Sequence, residues 1–254
     1  MKATKTALVT GATSGIGYAT AKLLANNGVQ LIACGRRAER LEKLARDVCD
    51  KVNVITLPFD VRNRDEVFRS INSLPEEWKN IDILINNAGN AHGLDLSQDA
   101  DVDDWDMMID INVKGLLYVT KAVLPLMLKK QSGHIVNISS IAGKENYPKG
   151  NVYCASKHAI DSFSEGLRTD LTGTGIKISL VSPGAVNTEF STVRFKGDKQ
   201  RADKVYEGFT PLLAEDIAEL IWFIVSRQPH INIADTVILP TAQTSATNIH
   251  RQVR

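Results

Sequence analysis

Thr6-Ala7-Leu8-Val9-Thr10-Gly11-Ala12-Thr13-Ser14-Gly15-Ile16-Gly17 is the stretch that decides the fold: a short apolar strand pattern runs straight into a glycine turn. An Ala/Leu-rich helical pattern, "YATAKLLANNG", follows at once. Glycines in a strand-to-helix turn let the backbone approach a ligand, and the helix N-terminus offers free N–H groups and a positive dipole end to a pyrophosphate. Gly11, Thr13, Ser14, Gly15, Ile16 and Gly17 are therefore candidates for holding a dinucleotide. The same glycines would also suit a plain tight turn, so other segments have to agree.

They do. Apolar runs alternate with helical patterns along the chain: 6–10 then 15–27, 29–34 then 38–50, 52–57 then 63–74, 81–86 then 103–129, 134–139 then 152–172, 176–181 then 214–227, and 237–239. This alternation predicts βαβ units and a parallel sheet. The runs "TALVT", "DILIN" and "HIVNIS" are apolar without clean alternation, as strands covered by helices on both faces should be. The expected fold is α/β, a doubly wound Rossmann-type sheet in a single domain spanning residues 1–254.

Two segments break the pattern. Residues 188–212, "TEFSTVRFKGDKQRADKVYEGFTPL", are polar and basic with weak periodicity, and are read as a loop acting as a substrate lid. The last fourteen residues, "TAQTSATNIHRQVR", carry no periodicity and are read as a frayed tail.

Composition narrows the function. The chain has 254 residues, 43% of them hydrophobic, enough for a sizeable core. Thirty Lys and Arg against 29 Asp and Glu leave a net charge of +1, so no global field recruits nucleic acid or an anionic membrane. No window reads as eighteen consecutive apolar residues, and the N-terminus lacks the apolar core of a signal peptide, so a cytoplasmic protein is expected. Cys34, Cys49 and Cys154 show neither CxxC nor Cys/His spacing and are read as small core residues. The five histidines form no ligand pair, and no metal is expected.

The second strand ends in "LIACGRRAERL". An NAD-binding unit places a carboxylate about 20 residues past the glycine turn, for the ribose 2′-hydroxyl. Here Arg36 and Arg37 stand instead, and two forked cations favour a 2′-phosphate, hence NADP(H). The third strand ends at Phe59-Asp60-Val61 and the fourth at Asn86-Asn87-Ala88-Gly89. Both ends fall where adenine and its ribose would lie, with Asp60 able to accept from the adenine amino group.

Tyr153 and Lys157 share one helical face four residues apart. A phenol exchanges a proton usefully only if its pKa of about 10 is drawn toward neutrality, and the Lys157 ammonium is positioned in sequence to do so. Ser140 would orient the reacting oxygen. Asn112, in a helix interior where it costs propensity, suggests a backbone distortion able to hold a water near Lys157.

TGxxxGIG at 10–17, NNAG at 86–89, Asn112, Ser140, the YxxxK pair and "SPGAVNT" at 182–188 together resemble the short-chain dehydrogenase/reductase family over essentially the whole chain. The resemblance implies a seven-stranded parallel sheet and an Asn112/Ser140/Tyr153/Lys157 tetrad with Tyr153 as acid/base. It implies that Pro183, Gly184, Val186 and Thr188 contact the nicotinamide, and that helices 103–129 and 152–172 build a homodimer or homotetramer. "TEFSTVRFKGD", "KVY" and "NIHRQ" resemble its subgroup of NADP-dependent 3-hydroxy acid dehydrogenases, the serine 3-dehydrogenase-like enzymes. A small acid needs a cation for its carboxylate: Arg194 is the candidate and Lys196 the reserve. The alternatives are a reductase of uncharged ketones, aldehydes or pterin-like carbonyls, and a cofactor-binding sensor without turnover.

Overall fold

The computed structural model describes residues 5–252. Among them, β1 (Thr6–Thr10), β2 (Gln30–Gly35), β3 (Val54–Pro58), β4 (Ile83–Asn86), β5 (Gly133–Ile138), β6 (Ile176–Pro183) and β7 (Asp235–Ile238) form one sheet in the order β3-β2-β1-β4-β5-β6-β7. Every pairing is parallel. The strand order reverses between β1 and β4, whose register sets Val9 opposite Ile85. The carboxyl ends of these two strands flank the crevice where a doubly wound sheet takes its ligand.

Two helical layers account for the unbroken apolar strands. On one face α1 (Gly15–Asn26), α2 (Ala38–Val48) and α9 (Ala214–Val225) pack against Ala7, Val9, Leu31 and Val136. On the other, α3 (Arg64–Asn72), α5 (Leu116–Lys130) and α6 (Asn151–Asp170) cover Leu8, Ile32, Leu84 and Ile135. Residues alternating along β1 thus serve different cores, and each fully buried aliphatic side chain contributes about 1.5–3 kcal/mol. In α2, Leu41, Leu44 and Val48 recur at helical spacing and are buried, while the other face is charged.

The long helix is composite. α4 (Val102–Met108) passes through a π-helical turn, Ile109–Gly115, into α5. Asn112 lies inside that turn, so the distortion inferred from its cost in a helix is present. Taken together, Val102–Lys130 is long and apolar enough to cross a membrane by length and composition, contrary to the reading of single windows; half of its apolar window is packed inside the fold.

Three expectations are corrected. Residues 188–212 are not a plain loop: they contain α7 (Phe190–Arg194) and α8 (Lys199–Lys204), the latter capped by the Asp198 side chain accepting from the Arg201 N–H. Helices this short leave too few turns for periodicity to show. The tail is not frayed through residue 252. Gln243 bridges to Ile249, the Gln252 N–H donates to the Gly208 carbonyl, and Arg251 donates to the carbonyls of Val205 and Glu207. These are long-range pairings with no local signature; residues 253–254 of the tail, like residues 1–4 of the N-terminal reading, lie outside the described residues. Finally, Cys34 and Cys154 are buried but Cys49 is exposed, because it follows the last turn of α2.

Candidate active site

A cleft of about 540 Å³ opens beyond the carboxyl ends of the strands. It is lined by the glycine turn, by Arg36 and Arg37, by Asp60 and Val61, by Asn87 to Gly89, and by Ser140, Tyr153, Lys157 and the 183–188 segment. Thr10 ties its two halves together: its hydroxyl accepts from the N–H groups of Asn87 and Ala88, each at 3.0 Å, while Asn87 Nδ2 donates to the Thr10 carbonyl.

The turn itself fits a dinucleotide. Gly11 has φ +65°, and a Cβ there would stand 2.8 Å from Asn87 Nδ2; a Cβ at Gly17 would stand 2.3 Å from the Gly11 carbonyl oxygen. Only glycine lets turn, helix and β4 close so tightly. Ser14 caps α1 without a side-chain hydrogen bond, and the first turn carries no acidic residue, so the amino end of the helix keeps its donors for an anion. At the β2 end, Arg36 is more than half exposed and lies 3.9 Å from Asp60. Arg37 donates to the hydroxyls of Thr13 and Ser14, both at 2.9 Å. Asp60 lines the cleft as expected, but Arg62 already engages its carboxylate through Nε, Nη2 and the backbone N–H. These residues fit NADP(H): glycine cradle, unspent helix donors and two guanidinium groups are all on one wall.

Deeper in the cleft Ser140, Tyr153 and Lys157 line the same space, while Asn112 lies behind Gly89, outside the lining. Ser140 follows β5 and caps the 3₁₀ turn Ile141–Gly143, its hydroxyl accepting from the Ala142 N–H at 3.1 Å. Tyr153 and Lys157 lie in the first two turns of α6, both buried, with Lys157 Nζ 5.8 Å from the centre of the phenol ring and donating to the Ile138 carbonyl at 3.1 Å. Asn112 Oδ1 accepts from the Asn90 N–H and its Nδ2 donates to the Asn90 carbonyl, each at 2.8 Å. Nδ2 also donates to Ser156 Oγ at 3.0 Å. Gly89 sits between: a Cβ on it would meet Asn112 Oδ1 at 3.1 Å and Lys157 Nζ at 3.6 Å.

The electrostatics differ from expectation. Burial pushes the Tyr153 phenol up rather than toward neutrality, with Ser140 and Arg194 pulling the other way. Burial likewise pushes Lys157 down, to about 8, against the pull of Asp161. Both groups are desolvated, and each charged form is penalised before the other can stabilise it.

Arg194, at the end of α7, faces the same space. Its Nη2 donates to the Tyr147 hydroxyl at 2.9 Å, and its guanidinium lies 5.6 Å from the centre of the Tyr153 ring. The Phe190 ring packs 5.7 Å from that ring. Lys196 does not join it: it pairs with Asp104 at 3.0 Å and Asp101 at 3.7 Å, which removes it as the reserve cation. Tyr147, Phe190 and Gln243 line the cleft without having been singled out from sequence. Each comes from an irregular or short segment, so its inward side was not readable from spacing.

Compared with known proteins, residues 5–199 match the family described as short chain dehydrogenase. The chain belongs to that family. It is 47% identical over 246 residues to the NADP-dependent 3-hydroxy acid dehydrogenase YdfG of Salmonella typhi, covering 96% of this chain and 98% of that protein. It is 45% identical over 251 residues to the NADP-dependent 3-hydroxy acid dehydrogenase of Schizosaccharomyces pombe, covering 98% of this chain and 97% of that protein. A closed form of serine dehydrogenase complexed with NADP+ superposes with a TM-score of 0.91 at 46% identity, over 97% of this chain and all (100%) of that one. This short-chain dehydrogenase is thus an NADP(H)-dependent oxidoreductase acting on a CH–OH group.

Proposed function

We propose that the protein interconverts the C3 hydroxyl and carbonyl of small 3-hydroxy acids, of the serine, allo-threonine or 3-hydroxypropionate type. The observation that carries this is Arg194, a forked cation between Tyr147 and Tyr153 on the lid side of the cleft. A carboxylate near the reacting carbon calls for such a partner, and an uncharged ketone does not. The names of the relatives, two 3-hydroxy acid dehydrogenases and a serine dehydrogenase, support the same substrate class.

In this reading NADP, when bound, accepts or supplies the hydride. Tyr153 takes the proton of the C3 hydroxyl during oxidation and returns it during reduction. Ser140 holds the reacting oxygen against the phenol. Lys157 has spent one of its three donors on Ile138 and has the others for the ribose hydroxyls of the cofactor. Asn112, both of its amide hydrogens donated, keeps the π-helical turn in place beside Lys157, where a water can carry the proton onward. Residues 188–212 act as the lid that brings Arg194 in. Two or four copies, packed through helix 102–130 and α6 in the cytoplasm, complete the picture, and light scattering of the purified protein tests the copy number.

The decisive experiment compares serine with an uncharged alcohol of similar size. Arg194→Ala should lower the ratio of kcat/KM for serine to that for the alcohol by at least about tenfold, the worth of one charge-assisted pair. An unaltered ratio would sink the carboxylate assignment.

A further inference from the structure

Glu189, the residue before α7, lies between two arginines, Arg37 of the opposite wall and Arg40 outside the lining of the cleft. Arg37 Nη1 donates to its Oε2 at 3.1 Å, and Arg40 Nη1 to its Oε1 at 2.6 Å. The remaining nitrogens of Arg37 are also taken, Nε by Thr13 Oγ1 at 3.3 Å and Nη2 by the hydroxyls of Thr13 and Ser14. Each guanidinium nitrogen of Arg37 is therefore engaged already, with one Nη1 hydrogen left over, and the partner on Nη1 comes from the lid.

The carboxylate also sits on a short mechanical path. Immediately before it, Thr188 packs on the glycine turn, where a Cβ at Gly15 would stand 3.3 Å from the threonine side chain. Immediately after it, Phe190 contacts the Tyr153 ring, and α7 ends at Arg194. One helix of five residues thus joins the anion on Arg37 to the guanidinium of the substrate side.

A ribose 2′-phosphate is, like a carboxylate, an acceptor-only anion that prefers forked donors, and it carries more charge and more oxygens. We propose that Glu189 is a resident stand-in for the 2′-phosphate: the phosphate displaces it from Arg37 and Arg40, and its release frees the root of α7. Arg40, absent from the lining of the cleft, then becomes part of the phosphate site. Glu189 sets how strongly the protein discriminates phosphorylated from unphosphorylated cofactor, and it couples that choice to the lid. This deepens the assignment of Arg37 to the 2′-phosphate and rests on it.

Calorimetric titration of the full chain with adenosine 2′,5′-bisphosphate and with adenosine 5′-monophosphate tests both layers separately. The unmodified protein should prefer the bisphosphate and Arg37→Ala should lose that preference; if the unmodified protein shows none, the phosphate assignment itself fails. Given that preference, Glu189→Gln should bind the bisphosphate roughly fivefold more tightly, the worth of a half-exposed ion pair, and leave the monophosphate unchanged. An equal change for both ligands, no change, or weaker bisphosphate binding overturns the displacement. In the unmodified protein, hydrogen exchange of the amides of residues 190–195 should accelerate with the bisphosphate and not with the monophosphate. Slower or unaltered exchange with the bisphosphate overturns it equally, and needs no variant.

Discussion

Gly93 and Arg194 hold each other twice. The Gly93 N–H donates to the Arg194 carbonyl at 3.0 Å, and Arg194 Nε donates back to the Gly93 carbonyl at 3.1 Å. This reciprocal pair fastens α7 to the loop that follows β4, so the guanidinium is oriented by backbone on one side and by the Tyr147 hydroxyl on the other. Gly93 has φ +67°, and a Cβ there would meet the carboxylates of Asp95 and Asp104 at 3.1 Å. Gly93→Val should therefore loosen the latch, raising KM for a 3-hydroxy acid several-fold at a stability cost of about 1–3 kcal/mol. Steady-state kinetics alongside urea unfolding would show it, and an unchanged KM would remove the latch from substrate binding.

Tyr153→Phe removes only the hydroxyl from a buried ring packed on Phe190. Turnover should fall by at least about 10²-fold, the usual worth of a positioned acid/base, while the dissociation constant of NADPH measured by fluorescence stays within about twofold. Near-native turnover would refute the role of the phenol.

Lys157 is a buried ammonium with a single backbone acceptor. Its charged form is penalised in the folded state, where its pKa falls from 10.5 to about 8. The unfolded chain then binds more protons between those values, so folding stability should rise as pH rises through that window, by up to about 1.4 kcal/mol per unit. Lys157→Met should abolish turnover yet fold at least as stably at pH 7, and should lose the alkaline rise. Denaturant unfolding at pH 7, 8, 9 and 10 measures both effects; a strongly destabilised Met variant would contradict the burial penalty.

His134 lies in β5, far from the chemistry, with Nε2 2.8 Å from Ser179 Oγ and Nδ1 buried without a partner. Burial pushes its pKa from 6.5 down to about 3. The folded protein keeps it neutral while the unfolded chain protonates it, so stability should fall as pH drops below 6.5, by roughly 1.4 kcal/mol per unit. Between pH 6.5 and 5, His134→Gln should show a much flatter dependence in urea unfolding. An equal loss in both proteins would place the acid sensitivity elsewhere.

Gln243 anchors the folded-back tail: it is 6% exposed, and its Oε1 accepts from the Ala185 N–H at 2.8 Å while Nε2 donates to the Ser245 carbonyl at 3.0 Å. Gln243→Ala leaves the part-buried Ala185 N–H unpaired within the 183–188 segment. A loss of about 1–3 kcal/mol in unfolding free energy is expected, together with faster hydrogen exchange at residues 185 and 212. Undisturbed exchange there would mean that the tail does not support the cleft wall.

Local pattern carried most of the architecture. Apolar runs such as Ile83–Asn86 mark strands covered on both faces, and the Leu41/Leu44/Val48 spacing follows the 3.6-residue period of a helix with one buried stripe; both survive translation into coordinates because each element buries its own apolar residues. The glycine turn, the Arg36–Arg37 pair and the Tyr153–Lys157 spacing were legible for the same reason: each is a short-range arrangement whose chemistry needs adjacent residues. What the chain alone left open concerns partners far apart in sequence. Glu189 meets Arg37 across 152 positions, Arg194 meets Gly93 across 101, and Gln243 meets Ala185 across 58. Whether Tyr153 and Lys157 shift one another, or are governed by burial, depends on how much water the packed layers exclude, a property of the assembled molecule that no residue spacing encodes.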